Sequence, residues 1–180
     1  MSFELSLTAA SKFFPKNSPH SPRFFAFDSF SGLPTPDEKN DAASVFARGD
    51  WSSSLSTFKR NTARASKGWD VHIVEGFYSD SLSPALRTEE NLRKAAFINI
   101  DCDLYSSTLE ALNFCTPLVK TGTIIFFDDW YLSDGDLSLG EGQACKEWLA
   151  NNPHITLIDF GDVSIMGKMF LVNVTTSPTP

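Results

Sequence analysis

RFFAF (Arg23 to Phe27), WDVHIV (Trp69 to Val74), AAFINI (Ala95 to Ile100) and GTIIFF (Gly122 to Phe127) are short apolar runs, each closed by an acid, a glycine or a turn residue. Runs of that length with such stops are the pattern of buried strands. Helical patterns separate them. Leu55, Phe58 and Thr62 share one helical face, and Leu109, Leu112 and Thr116 share another, the latter opened by a Ser107 to Glu110 capping box. Alternating strand and helix predicts βαβ crossovers, because parallel neighbours need a long return path, and helices then cover both faces of a mostly parallel sheet. In such sheets ligands sit beyond the C-terminal ends of the strands.

The flanks complete an α/β domain. Phe3, Leu7, Ala10 and Phe14 recur at helical spacing and predict an amphipathic helix ending before Pro15. A further helix is expected from about Gly142 to Asn151, with Ala144, Cys145, Trp148 and Leu149 inward. ITLIDF (Ile155 to Phe160) and KMFLVNV (Lys168 to Val174) are separated only by GDVSIMG. That is too short for a crossover helix, so these two strands are expected to pair antiparallel. VTTSPTP reads as a frayed tail. Ser31 to Ser54 is long and irregular, with Pro34, Pro36, Gly49 and the aromatics Phe46 and Trp51. It reads either as a lid or binding loop, or as a surface loop that tucks both aromatics into the core.

With 42% hydrophobic residues the chain can bury a full core, and 180 residues argue for a single domain. Fifteen basic against twenty-two acidic residues give a net charge of −7, which argues against a nucleic-acid or anionic-membrane partner and favours a small neutral or cationic ligand. Cys102, Cys115 and Cys145 show no metal-type spacing and read as reduced packing thiols. MSFELSLTAASKFF lacks the marks of a signal peptide, and no run reaches the length of a membrane span. The expectation is a cytoplasmic protein.

The acids at the strand ends carry the chemistry. Asp101 follows AAFINI directly, and Asp128 and Asp129 follow GTIIFF, so neighbouring parallel strands would bring three carboxylates to one rim. Carboxylates so gathered resist ionising together unless a cation neutralises them, and hard oxygen ligands suit Mg²⁺, Mn²⁺ or Ca²⁺. The competing reading is that they cap helices or stay solvated, as Asp often does after a strand. Asp103 is assigned to that second reading, as a turn acid before the next helix. Asp28, closing RFFAF, is placed either to accept hydrogen bonds from ribose hydroxyls or simply to serve the turn DSFSGLP. His20, His72 and His154 are not tied to the acids by spacing, and no serine-hydrolase order, zinc spacing or P-loop is present.

FAFDSFSGLP, FARGDWSSSLSTFKRN, INIDCDLYSST and TGTIIFFDDWY, in this order, with the GEGQACKEWL helix after them, resemble the macrocin O-methyltransferase (TylF-like) family, over about Phe24 to Trp148. The resemblance implies a Rossmann-like class I methyltransferase sheet, mostly parallel with a C-terminal antiparallel strand. It implies S-adenosylmethionine as cofactor and Mg²⁺ bound by Asp101, Asp128 and Asp129. It places Asp28, with Ser29 beside it, at the cofactor ribose, and Gly76 and Phe77 on the adenine side. The implied reaction is methylation of a small-molecule hydroxyl, such as a sugar of a natural product, with Asp101 a candidate to help take the proton.

The sequence departs from that pattern at its start. Class I enzymes have a first strand and a glycine-rich loop around the cofactor, whereas the first glycine here is Gly32. The expectation is an N-terminally truncated sheet, either a piece of a longer enzyme or a natural variant. An inactive methyltransferase-like domain is one alternative. A glycosyltransferase that uses Asp101 and Asp103 as a D-x-D pair is another, but it leaves FFDDW and FDSFSGLP without a role.

Overall fold

The computed structural model describes residues 21–42, 45–66 and 69–175. The amphipathic helix expected over Phe3 to Phe14, and most of the C-terminal tail, lie outside them. The described residues form two compact units. One takes the chain up to Pro34 with Gly49–Ser81, and the other takes Thr35–Arg48 with Leu82 onward.

In the first unit, β1 (Arg23–Asp28) and β2 (Asp70–Glu75) pair in parallel, from Arg23 opposite Asp70 to Asp28 opposite Glu75. The crossover between them contains α1 (Leu55–Ser66), on which Thr62 is buried. Trp69 is buried just before β2 and meets Phe24 edge-on at 5.5 Å. A short turn of helix, α2 (Tyr78–Ser81), follows β2, and its Tyr78 hydroxyl donates to the Phe27 carbonyl at 3.2 Å.

The second unit holds α3 (Pro84–Glu89), β3 (Phe97–Ile100), α4 (Tyr105–Cys115), β4 (Ile124–Phe127), α5 (Gly140–Asn151), β5 (Ile155–Asp162) and β6 (Lys168–Val174). Its sheet has the order β3-β4-β6-β5. β3 and β4 are parallel, whereas β6 is antiparallel to both β4 and β5. The short GDVSIMG connection thus makes the antiparallel pair its length requires. One sheet face, with Ile98, Ile100, Ile125, Phe127 and Val172, is buried and forms the core with Leu112 of α4 and Trp148 of α5. Trp148 Nε1 donates to Thr116 Oγ1 at 2.8 Å, which ties α5 to the end of α4. On the other face Phe97 is 44% and Ile158 51% exposed.

Two local expectations change. The Ser107 to Glu110 capping box does not form, because Ser107 lies inside α4 and the N-cap, Leu104, makes no side-chain cap bond. Asp41 supplies the cap instead. Its Oδ1 accepts the Tyr105 N–H at 2.6 Å, and its Oδ2 accepts the Asp37 N–H at 2.8 Å. Trp51 is 77% exposed, so the 31–54 segment does not bury both of its aromatics.

Asp41 is 4% exposed, and its loss would strand the first N–H of α4. Asp41→Ala is expected to lower the unfolding free energy by about 1–2 kcal/mol, read from urea denaturation. Asp41→Asn, which keeps an acceptor oxygen, should lose less.

Candidate functional site

The register of β3 and β4, with Ile100 opposite Phe127, ends both strands at one rim. Asp101 leaves β3 there, and Asp128 and Asp129 leave β4. The Asp128 N–H extends the ladder by donating to the Ile100 carbonyl at 3.0 Å. Asp103 takes φ 59°, the left-handed region that Asp tolerates better than most residues. Its backbone N–H acts on the Asp129 carboxylate, pulling that acid's pKa down. The Asp129 N–H donates in turn to Glu141 Oε2 at 3.1 Å, from the first turn of α5.

The three acids expected from the strand ends are therefore brought together, and two more join them. Asp103 lies in the turn before α4, and the charges of Asp101 and Asp128 act on it. Glu141 was not singled out in the sequence, since the helix was expected to begin at about Gly142 and it begins at Gly140. Glu141 is only 2% exposed, and its Oε1 has no hydrogen-bond partner.

Crowding is written in the protonation of these groups. Burial, then the charges of Asp103, Asp101 and Asp128, pushes Asp129 up to about 7, against the pull of the Asp103 N–H. Burial and the charges of Asp101 and Asp128 push Asp103 up to about 6. Asp128 is raised by burial and by Asp101, and Glu141 stands well above the usual carboxylate range through burial and Asp129. Among the described residues, no three His, Cys, Asp or Glu side chains are placed so as to hold a metal ion as they stand. The set is all carboxylate and mutually repelling, and it includes one buried oxygen without a partner.

The other expected site residues lie in the first unit. Asp28 closes β1, and its Oδ1 accepts the Phe30 N–H at 2.7 Å. Ser29 is engaged in the same turn, donating from Oγ to the Gly32 carbonyl at 2.9 Å and accepting the Ser31 N–H at 3.1 Å. Gly76 has φ 140° and donates its N–H to the Asp28 carbonyl at 3.0 Å, so the ends of β1 and β2 are joined. Phe77 follows, with its carbonyl accepting the Ser81 hydroxyl at 3.0 Å. His72 is occupied by Asp70, at 2.9 Å, and by the Phe25 ring, at 4.8 Å.

Strands ending in acids within an α/β frame are the architecture of class I methyltransferases, and solved structures agree. CalS11, a calicheamicin methyltransferase, superposes with a TM-score of 0.68 at 19% identity, over 95% of this chain and 79% of that one. In its apo form it is described as a TDP-rhamnose 3'-O-methyltransferase. The O-methyltransferase NovP gives 0.66 at 18% identity, over 97% and 78%. An O-methyltransferase from Bacillus cereus in complex with SAH gives 0.52 at 17%, over 98% and 91%. At these identities the likeness establishes the fold. No curated protein matches the chain in sequence.

The family is given by sequence. The model of the macrocin-O-methyltransferase (TylF) family matches residues 11–140, and the chain belongs to that family of O-methyltransferase enzymes. Among the described residues no helix is long and apolar enough to cross a membrane.

The raised acids predict a pH dependence. A carboxyl with a folded-state pKa of about 6 or 7 keeps its proton where the unfolded chain, near 4, has lost it. Stability from these groups is therefore present at low pH and lost as pH rises to about 7. In chelator, the melting temperature should fall between about pH 5 and 8 by more than in Asp129→Asn. Equal slopes would show that Asp129 does not stand in a crowd of charge.

Proposed function

We propose that the protein transfers the methyl group of S-adenosylmethionine to a hydroxyl of a small molecule, such as a sugar of a natural product, using Mg²⁺. The whole chain, 1–180, acts as one methyltransferase domain in this reading. The observation that carries it is the gathering of Asp101, Asp128 and Asp129 at one rim in a chain of this family. The cofactor is supported by the SAH complex of the Bacillus cereus enzyme, and the sugar by the printed description of CalS11.

The residues divide the work. Asp128 and Asp129, with Asp101, would hold the cation. When bound, the cation lowers the pKa of an acceptor hydroxyl and the sulfonium supplies an electrophilic methyl. Asp101, the exposed member of the set, would help take the hydroxyl proton. Asp28 would accept hydrogen bonds from the cofactor's ribose, with its orientation fixed by the Phe30 N–H and its turn shaped by Ser29. Gly76 and Phe77 would line the adenine side. The enzyme's main task is alignment, since attack on a sulfonium needs an in-line, deprotonated oxygen more than further activation.

Calorimetric titration of S-adenosylmethionine into the folded chain with Mg²⁺ tests the first half. Micromolar binding is expected, and no binding would overturn the cofactor assignment. Transfer of labelled methyl to a panel of nucleotide sugars tests the second. Asp101→Asn and Asp129→Asn should each cost about two orders of magnitude in rate or more, with chelator reproducing the loss.

A further inference from the structure

Trp51 belongs to the first unit and is 77% exposed. The other indoles of the chain are used for packing. Trp69 and Trp148 are buried in the cores of their units, and Trp130 meets Phe127 and Phe170, each at 4.9 Å. An indole left in water forgoes one of the largest apolar burials a side chain can contribute.

The backbone of Trp51 is costly as well. It takes φ 60°, in the left-handed region that glycine enters freely and a bulky residue rarely does. Phe30 shares this conformation at φ 52°, but its ring meets that of Phe58 on α1 at 5.4 Å, so packing offsets the cost there. The exposed ring of Trp51 has no such compensation. The segment before it is nonetheless held firmly: the Leu33 N–H donates to the Asp50 carbonyl, and the Gly49 N–H donates to the Leu33 carbonyl. Strain kept by its surroundings without a packing gain is the mark of a residue placed for a ligand.

Place and neighbours point to the kind of ligand. Leu33, which holds this segment, follows shortly after Asp28 at the C-terminal end of β1, the end at which α/β sheets bind ligands. Ser52 and Ser53 come directly after Trp51 and are exposed with it. An indole face beside hydroxyls offers an apolar plane to the C–H face of a saturated ring, and short donors and acceptors to the hydroxyls of that ring. A pyranose has both features, whereas adenine is flat and carries no hydroxyl.

We infer that Trp51 is a substrate-binding residue whose indole stacks on the sugar ring of the methyl acceptor, with Ser52 and Ser53 beside it for the hydroxyls of the ring. The inference rests on the sugar acceptor proposed above and goes beyond it by naming the residues that recognise the ring.

Steady-state methyl transfer to the panel of nucleotide sugars, by the full chain and by Trp51→Gly, tests this. Glycine suits φ 60° better than tryptophan does, so the variant is expected to melt no lower than the unaltered protein. It should bind S-adenosylhomocysteine with unchanged affinity in calorimetry. Its KM for the sugar should rise about 10-fold, with a smaller effect on kcat, and Trp51→Phe, which keeps an aromatic plane, should recover part of that loss. An unchanged KM would overturn the inference and leave the proposed reaction in place. An equal loss of S-adenosylhomocysteine binding, or a lower melting temperature, would overturn it by making Trp51 a cofactor or packing residue. No transfer to any sugar by the unaltered chain with S-adenosylhomocysteine binding intact would overturn both the sugar acceptor and the inference.

Discussion

The parallel pairing of β3 with β4 is the constraint from which the rest of the second unit follows. With Ile100 opposite Phe127, the residues that come next, Asp101 and Asp128, have no choice but to share a rim. Ile125 and Phe127 are fully buried, so a slip of one residue would turn them to the opposite face and move the acids with them. The apolar core is thus also the device that sets the acids' positions. α4, with Leu112 buried, and α5, with Trp148 buried, keep the strands in that register from one side.

Holding the acids there opposes the rest of folding. Burial and mutual charge raise Asp103, Asp128, Asp129 and Glu141 together, a destabilising arrangement that a sequence selected for stability alone would avoid. The fold offsets part of the cost with backbone donors. The Asp129 N–H serves the Glu141 carboxylate, the Asp103 N–H pulls Asp129 down, and Asp41 anchors the start of α4.

Much of this was legible in the sequence, for a physical reason. Strand pairing depends on apolar runs and on connection length, so β1 to β4 and the antiparallel β5–β6 hairpin could be read from local pattern. What could not be read depends on contacts distant in sequence. Ser107 and Glu110 have the spacing of a capping box, yet the cap of α4 comes from Asp41, 64 residues before Tyr105. Asp103 does lie in a turn, but alternation along a strand says nothing about the charges that meet a residue there. Glu141 was missed because the two extra residues at the start of α5 place it in the helix, where its Oε2 can reach the Asp129 N–H.

The motifs behind the family resemblance also separate by physical role. Gly32, in FDSFSGLP, has φ 82°, and a Cβ there would fall 2.4 Å from the Gly49 carbonyl oxygen of FARGDW. The Leu33 N–H donates to the Asp50 carbonyl, and the Gly49 N–H donates back to the Leu33 carbonyl, each at 2.9 Å. These two strings are therefore halves of one clasp. Gly32 cannot change without disturbing the other string, because backbone stands where its side chain would be, whereas Gly49 has open space and is constrained only by its φ of 89°. FINID and FFDDW follow a different logic, since their apolar letters fix a register that carries their acids to one rim. The first pair of motifs fixes how the chain is held, and the second fixes where its acids gather. Their joint occurrence in one order is more specific than any acid pair, because two independent physical requirements must be met in the same chain.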